Sequence, residues 1–238
     1  MFKFDENSGD YDNLLEMLEQ AEEHWGIDKD TMLDHMTRIA YHETGRTLDP
    51  KQKQIGGKPG QEGMGLFQYE TGKGEGGHTA MNRLIDYYEP GGLENMPDFI
   101  KDRLYKDPNT GQYAKMGGKN PYYFHDDEGF DASELTPEQQ YMLFLADKRG
   151  DKTASFKGVD TPEELKQFWL DEHYAGDEKK ARGKSFDDTM GLYKDTLLDQ
   201  IMPTEDEKKA QDDTGSIKPS ENPIFDFFTK PFNPLSDG

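Results

Sequence analysis

Asp30-Thr31-Met32-Leu33-Asp34-His35-Met36-Thr37-Arg38-Ile39-Ala40-Tyr41-His42-Glu43-Thr44-Gly45 is the stretch whose reading decides the fold. Met32, Met36, Ile39 and Ala40 recur at the spacing of one helix face, and Gly45 stops the run. Asp28 or Asp30 supplies the N-terminal cap. Continued by its own period, the stripe reaches position 43, so a carboxylate, Glu43, stands at the end of a core-facing face. Burial penalises the charged form of a carboxyl group and raises its pKa. A carboxyl kept protonated near neutral pH can give a proton to a leaving oxygen, which is what the general acid of glycosidic cleavage must do. A Glu tipped outward at a frayed helix end has the same periodicity, so spacing alone leaves both readings open.

Before this helix, Leu14, Leu15, Leu18, Ala21 and Trp25 mark another, with Gly26 where a left-handed C-terminal cap belongs. After it, a Gly-rich loop covers 56–77. A third helix is predicted from Thr79 to Tyr88, closed by Pro90-Gly91-Gly92, and a short one begins near Pro97. From Lys106 to Ser133 the periodicity lapses into Gly, Asn, Pro, Tyr and Asp. This reads as a long surface insertion with a hairpin at Asn109-Thr110-Gly111. Thr136-Pro137-Glu138-Gln139 and Thr161-Pro162-Glu163-Glu164 each place Thr at the N-cap, Pro next and an amide or carboxylate at the third position, the pattern of a capping box. The helices they open carry Tyr141, Met142 and Leu145, then Leu165, Phe168 and Trp169. A last helix, opened by Ser185, is expected to carry Met190, Tyr193, Leu197 and Ile201. The sum is a mainly α domain over residues 1–202.

Beyond Pro203 the composition changes. Residues 204–220 are polar and charged and read as a flexible linker. The tail that follows concentrates Phe225, Phe227, Phe228 and Phe232, and is expected to dock on a partner, because exposed apolar clusters mark interaction sites. Folding back onto its own domain is the alternative.

Composition narrows the function classes. Hydrophobic residues make up 32% of the 238 and charged ones another 32%, a balance that favours disorder unless the apolar residues are large. Here 14 Phe, 12 Tyr and 2 Trp supply a core. The net charge of −21 repels phosphate backbones and anionic membranes, so no nucleic-acid partner is expected. Absence of cysteine excludes disulfides, zinc-thiolate sites and Cys nucleophiles. No apolar run is long enough to span a bilayer, and Met1–Asp12 lacks the pattern of a signal peptide, so synthesis in the cytoplasm is expected. His42-Glu43 begins like a zinc-protease motif, but Arg46 stands where the second His is required. Gly72-Lys73-Gly74-Glu75-Gly76-Gly77 follows no strand and lacks a Gly-Lys-Ser/Thr ending. Asp107, Asn109 and Gly111 start like a calcium loop that nothing completes, and Asp126, Asp127, Glu128 and Asp131 read as a solvated acidic loop. No cofactor and no metal are implied.

His42-Glu43-Thr44-Gly45 is followed about twenty residues later by Gly63-Met64-Gly65-Leu66-Phe67-Gln68-Tyr69-Glu70. This pair resembles the soluble lytic transglycosylase and goose-type lysozyme superfamily, in which a helix ends in Glu-Ser-Gly and a Gly-Leu-Met-Gln segment floors the glycan cleft. The run from Gly65 to Glu70 with Gly76 to Leu84 is similar to a variant found in bacteriophage structural proteins. The resemblance covers residues 30–90 and extends loosely to the later helices. It implies a lysozyme-like fold, peptidoglycan glycan strands as substrate, and Glu43 as the acid/base. Gly65, Leu66, Phe67 and Gln68 match the cleft floor, with Tyr69 and Glu70 continuing it. Thr44 stands for the family's Ser and Phe67 for its Met.

A further family element, Tyr-Asn-Ala-Gly, has its nearest counterpart in His173-Tyr174-Ala175-Gly176, out of register. Trp169 and His173, four apart, could line the cleft instead; core packing for Trp169 and a structural role for His173 are the alternatives. A retaining or inverting hydrolase needs a second carboxylate, for which Asp49, Glu62, Glu70 and Glu75 are available. Lytic transglycosylases manage with one, because a muramyl hydroxyl attacks within the substrate. The resemblance thus implies a virion-associated peptidoglycan hydrolase, made in the host cytoplasm and carried on other virion proteins by its tail. It would act at the host periplasm and cell wall during genome entry. A phage structural or adaptor protein that keeps the fold with little or no activity is the rival reading.

Overall fold

The computed structural model of the protein describes residues 1–54, 62–72, 76–113, 122, 124, 130–150, 156–173, 179–193 and 196–203. Helix α1 (Gly9–Trp25) starts at Ser8, whose side chain accepts the Tyr11 N–H, and stops at Gly26, which turns left-handed at φ 73° and returns its N–H to Glu22. Helix α2 (Lys29–Glu43) is capped by the Asp28 carboxylate, which accepts the N–H groups of Asp30 and Thr31. Its stripe of Met32, Met36, Ile39 and Ala40 is fully buried. Helix α3 (Gly76–Tyr88) begins before the expected Thr79, because the last two glycines of the loop are already helical. A short α4 (Asp98–Lys101) follows Pro97.

Helix α5 (Pro137–Gly150) is opened by reciprocal bonds, Gln139 N–H to the Thr136 hydroxyl and Thr136 N–H to the Gln139 amide oxygen. Helix α6 (Pro162–Phe168) has a complete capping box from Thr161 and Glu164, and runs into a π-helical turn, Trp169–His173. Burial of α5 is continuous from Glu138 to Lys148, and the helix packs against both α1 and α3. A helix enclosed on every side is the centre of a domain. Phe67 stacks on Phe144 at 4.2 Å between ring centroids, and Phe156 on Phe168 at 4.3 Å.

Three expectations change. The Gly-rich loop contains a hairpin, β1 (Gly63–Met64) paired antiparallel with β2 (Tyr69–Glu70), Gly63 opposite Glu70 and Met64 opposite Tyr69. Two-residue strands are too short to show an alternation. The insertion is not wholly superficial. Its hairpin forms, with Gly111 N–H on Asp107 O and Lys106 bridged to Tyr113, but Phe124, Phe130 and Ala132 are buried in the core. The helix expected to open at Ser185 is two helices, α7 (Lys179–Met190) and α8 (Thr196–Ile201), with Ser185 inside the first. The break lets Tyr193 turn inward, where its hydroxyl donates to Asp34 at 2.9 Å and its ring lies against the Arg38 guanidinium. Past the break, α8 returns to the N-terminal segment, Ile201 O accepting the Phe4 N–H. The expected linker and tail, including Phe225, Phe227, Phe228 and Phe232, lie outside the described residues. No helix among the described residues is long and apolar enough to cross a membrane.

Polar groups buried on α5 must be satisfied. The Asp147 carboxylate receives the Tyr69 hydroxyl at 3.0 Å, the Arg83 guanidinium from α3 and the Lys148 ammonium at 3.2 Å. Asp147→Ala removes the carboxylate on which these three groups converge, and is expected to cost about 3 kcal/mol in urea denaturation. A loss below about 1 kcal/mol, the worth of an exposed pair, would show that the cluster does not hold α3 to α5.

Candidate active site

Helix α2 ends where the candidate acid stands. Thr44 closes it, donating its hydroxyl proton to Ala40 O at 2.7 Å and accepting the Leu48 N–H at 2.9 Å. Its oxygen therefore works within the turn, although the residue contributes to the wall of the neighbouring cleft. Gly45, Arg46 and Leu48 all take positive φ, folding the chain sharply back over the helix end. The result is a cleft of about 430 Å³ between the α2 terminus, the segment 45–54, the β1–β2 turn, the π-turn and α7.

Glu43 is half-buried at this cleft, and the Trp169 indole N–H donates to its Oε1 at 2.6 Å. Burial pushes the carboxyl up to about 7, against the opposing effects of the indole bond, Arg182 and Lys148. With Oε1 accepting the indole, the proton of the neutral acid belongs on Oε2. Trp169 is almost wholly buried, stacked on Phe186 at 5.1 Å and edge-on to His42 at 4.6 Å. It packs as a core residue and bonds the acid at the same time.

The floor segment divides by side-chain direction. Gly65 sits at φ 80°, and a Cβ there would strike the Gln140 amide oxygen, which itself accepts the Leu66 N–H at 2.7 Å. Leu66 and Phe67 are buried beneath the cleft and build its floor without lining it. Gln68, at φ 51°, lines the cleft, and its amide N–H group donates to Gly65 O at 2.6 Å and Gln52 O at 3.1 Å. The Tyr69 hydroxyl turns away to Asp147, and Glu70 is exposed on β2 away from the cleft, so neither reaches a ligand there. Leu66, Phe67, Tyr69 and Glu70, expected to bind substrate, are thus not on the cleft lining, and the first three serve as support. The cause is the demand of α5 for apolar and donor partners on this segment. Trp169, in the π-turn, lines the cleft as expected of it, whereas the side chain of His173 lies outside the described residues. Tyr174 lies outside the described residues.

Several lining residues had no signal in the sequence: Gln52, Lys53 and Gln54 from the folded-back segment, Arg182 and Ser185 from α7. His42 also lines the cleft, and its adjacency to Glu43 was the available clue. Of the candidate second carboxylates, Asp49 caps the Lys51 N–H and Glu62 pairs with Lys53 at 3.3 Å. Neither lines the cleft, Glu70 does not either, and Glu75 is outside the described residues. Among the described lining residues Glu43 is the sole carboxylate, and the lining also holds Lys53 and Arg182 in a chain of net charge −21. No group of three or more His, Asp or Glu among the described residues could hold a metal ion. No family model, curated protein or solved structure matches the chain.

The raised carboxyl carries a stability consequence. Between its ordinary value of 4.5 and about 7, the folded state binds the Glu43 proton and the unfolded state does not. Stability therefore falls as pH rises through that window, and above it the buried charge is a net cost. Glu43→Gln should leave the melting temperature unchanged at pH 5 and raise it by about 3 °C at pH 8. A large loss at both pH values would make Glu43 a structural residue.

Proposed function

We propose that this chain is a peptidoglycan-cleaving glycosidase of lysozyme-like fold, working as a lytic transglycosylase with Glu43 as its acid and then its base. One observation carries the reading: a single carboxyl, held near pH 7 by burial and oriented by the Trp169 indole, faces the cleft. In the first step Glu43 Oε2–H gives its proton to the glycosidic oxygen as the bond from the muramyl C1 breaks. The ionised Glu43 then takes the proton of the muramyl C6 hydroxyl while that oxygen bonds C1. The sugar closes to an anhydro ring and the acid is restored, with no water consumed. Hydrolysis would need a second carboxylate or a positioned water, and the described lining offers only Glu43 as a carboxylate. Lys53 and Arg182 suit a glycan that carries carboxylates on its lactyl and peptide groups.

The setting we propose is a phage particle. A surface of charge −21 is poorly steered to an anionic cell wall by diffusion, whereas delivery on a virion removes that need. The aromatic tail with Phe225, Phe227, Phe228 and Phe232 is the proposed attachment to other virion proteins. Made in the host cytoplasm, the protein would open the wall locally as the genome enters. A purely structural role in the particle uses the same tail and leaves the Glu43 acid without a task.

Mass spectrometry of purified peptidoglycan incubated with wild type should show anhydromuramyl ends, absent with Glu43→Gln. Reducing ends would make the enzyme a hydrolase, and no products from folded protein would favour the structural role. Because the acid must be protonated, kcat/KM should fall about tenfold per pH unit above roughly 7; a flat profile to pH 9 contradicts the assignment. Deleting 222–238 should abolish incorporation into particles and spare cleavage. Unchanged incorporation would remove the tail from the attachment.

A further inference from the structure

His42 stands next to the acid in the last turn of α2, and its partners determine which ring nitrogen carries the proton. The Thr189 hydroxyl donates its one hydrogen to Ser185 O, a turn back on α7, at 3.0 Å. The same oxygen lies 3.1 Å from His42 Nδ1. With its hydrogen already placed, the hydroxyl can only accept, so Nδ1 is the protonated nitrogen. In the neutral ring this leaves Nε2 as a lone-pair acceptor.

Among the described residues Nε2 has no hydrogen-bond partner, and it is not one of the buried polar atoms closed off from solvent. His42 forms part of the cleft wall. The ring cannot swing freely, being held by the Trp169 edge at 4.6 Å and Phe186 at 5.1 Å. Burial, reinforced by Arg182 and Arg46, pushes the imidazole down to about 4, so the acceptor persists at neutral pH. Around it the lining includes two groups that can only donate, the Lys53 ammonium and the Arg182 guanidinium. A ligand that presents only acceptors would leave Nε2 unmatched.

We propose that His42 Nε2 accepts a hydrogen bond from a hydroxyl or acetamido N–H of the glycan, which makes His42 a substrate-binding residue beside Glu43. The proposal rests on the glycosidase reading for the identity of the ligand, whereas the tautomer stands on geometry alone.

Two substitutions separate binding from packing. The Asn amide nitrogen reaches the position of Nδ1, so His42→Asn keeps the donor to Thr189 and deletes the acceptor. The Gln amide reaches the position of Nε2, so His42→Gln restores an acceptor and loses Thr189. The probe is the tetrasaccharide of alternating N-acetylglucosamine and N-acetylmuramic acid, titrated calorimetrically into the full chain. His42→Asn should weaken binding about tenfold and His42→Gln about twofold or less. The opposite order, or equal losses, would make His42 a packing residue and overturn the proposal.

Long-range proton–nitrogen spectra of the wild type need no variant. They should show a protonated Nδ1, and an Nε2 resonance that moves when the tetrasaccharide is added; a protonated Nε2 or an unmoved resonance overturns the proposal. Wild type that binds the tetrasaccharide but leaves peptidoglycan uncut would defeat the glycosidase reading alone. Wild type that binds no tetrasaccharide defeats the acceptor role.

Discussion

The rest of the structure depends on one face of the buried helix α5. Gln140, Phe144 and Asp147 are four and three residues apart, two turns of one stripe. The segment Leu66, Phe67 and Tyr69 docks along it by a backbone N–H to the Gln140 amide, a ring on the Phe144 ring, and a hydroxyl to the Asp147 carboxylate. The Gln140 amide also donates to Pro50 O and Leu135 O, both at 3.0 Å. One side chain thus ties the folded-back segment, the cleft floor and the start of its own helix together. A buried amide left unbonded is costly, and when fully bonded it admits one register. Any slip of the floor along α5 would strand Gln140 and Asp147 at once.

That register is what gives the cleft its shape. With Leu66 and Phe67 turned down, the backbone reverses at Gly65 and Gln68, and Gln68 comes up beside the terminus of α2. From the other side, α7 packs on α2 through Phe186 and Thr189, which grip His42. The π-turn after α6 sets the Trp169 indole on Glu43. The acid's pKa is therefore set by burial together with remote parts of the chain, the Trp169 indole, Arg182 and Lys148. It rises because the carboxyl is desolvated, and it stops near 7 because the indole N–H and nearby cations favour the ionised form. A carboxyl group at that balance can give up a proton and recover it, the requirement of a residue that serves as acid and base in succession.

Much of the helical frame was legible in the sequence because its determinants are local. Caps at Asp28, Thr136 and Thr161 act within three residues of themselves, and Gly26 and Gly45 end their helices by backbone conformation alone. The buried stripe of α2 that carries Glu43 to the cleft was likewise written in its spacing. The break at residues 191–193 was not, because Tyr193 leaves the helix for Asp34 and Arg38, partners some 150 residues away. Phe124 and Phe130 were hidden by the polar residues around them, and the β1–β2 hairpin by its length.

The sequence by itself determined the locally capped helix ends at Asp28, Thr136, Thr161 and Gly26, and that a carboxylate closes the stripe of α2. Only the tertiary structure decided which neighbours that carboxylate meets. It turned Leu66, Phe67 and Tyr69 away from the cleft, and drew Gln52, Lys53, Arg182 and His42 into its wall. The physical reason is range. Capping and periodicity are satisfied within one or two turns of chain, whereas desolvation and the pairing of buried polar groups depend on whichever distant segment fills the remaining space.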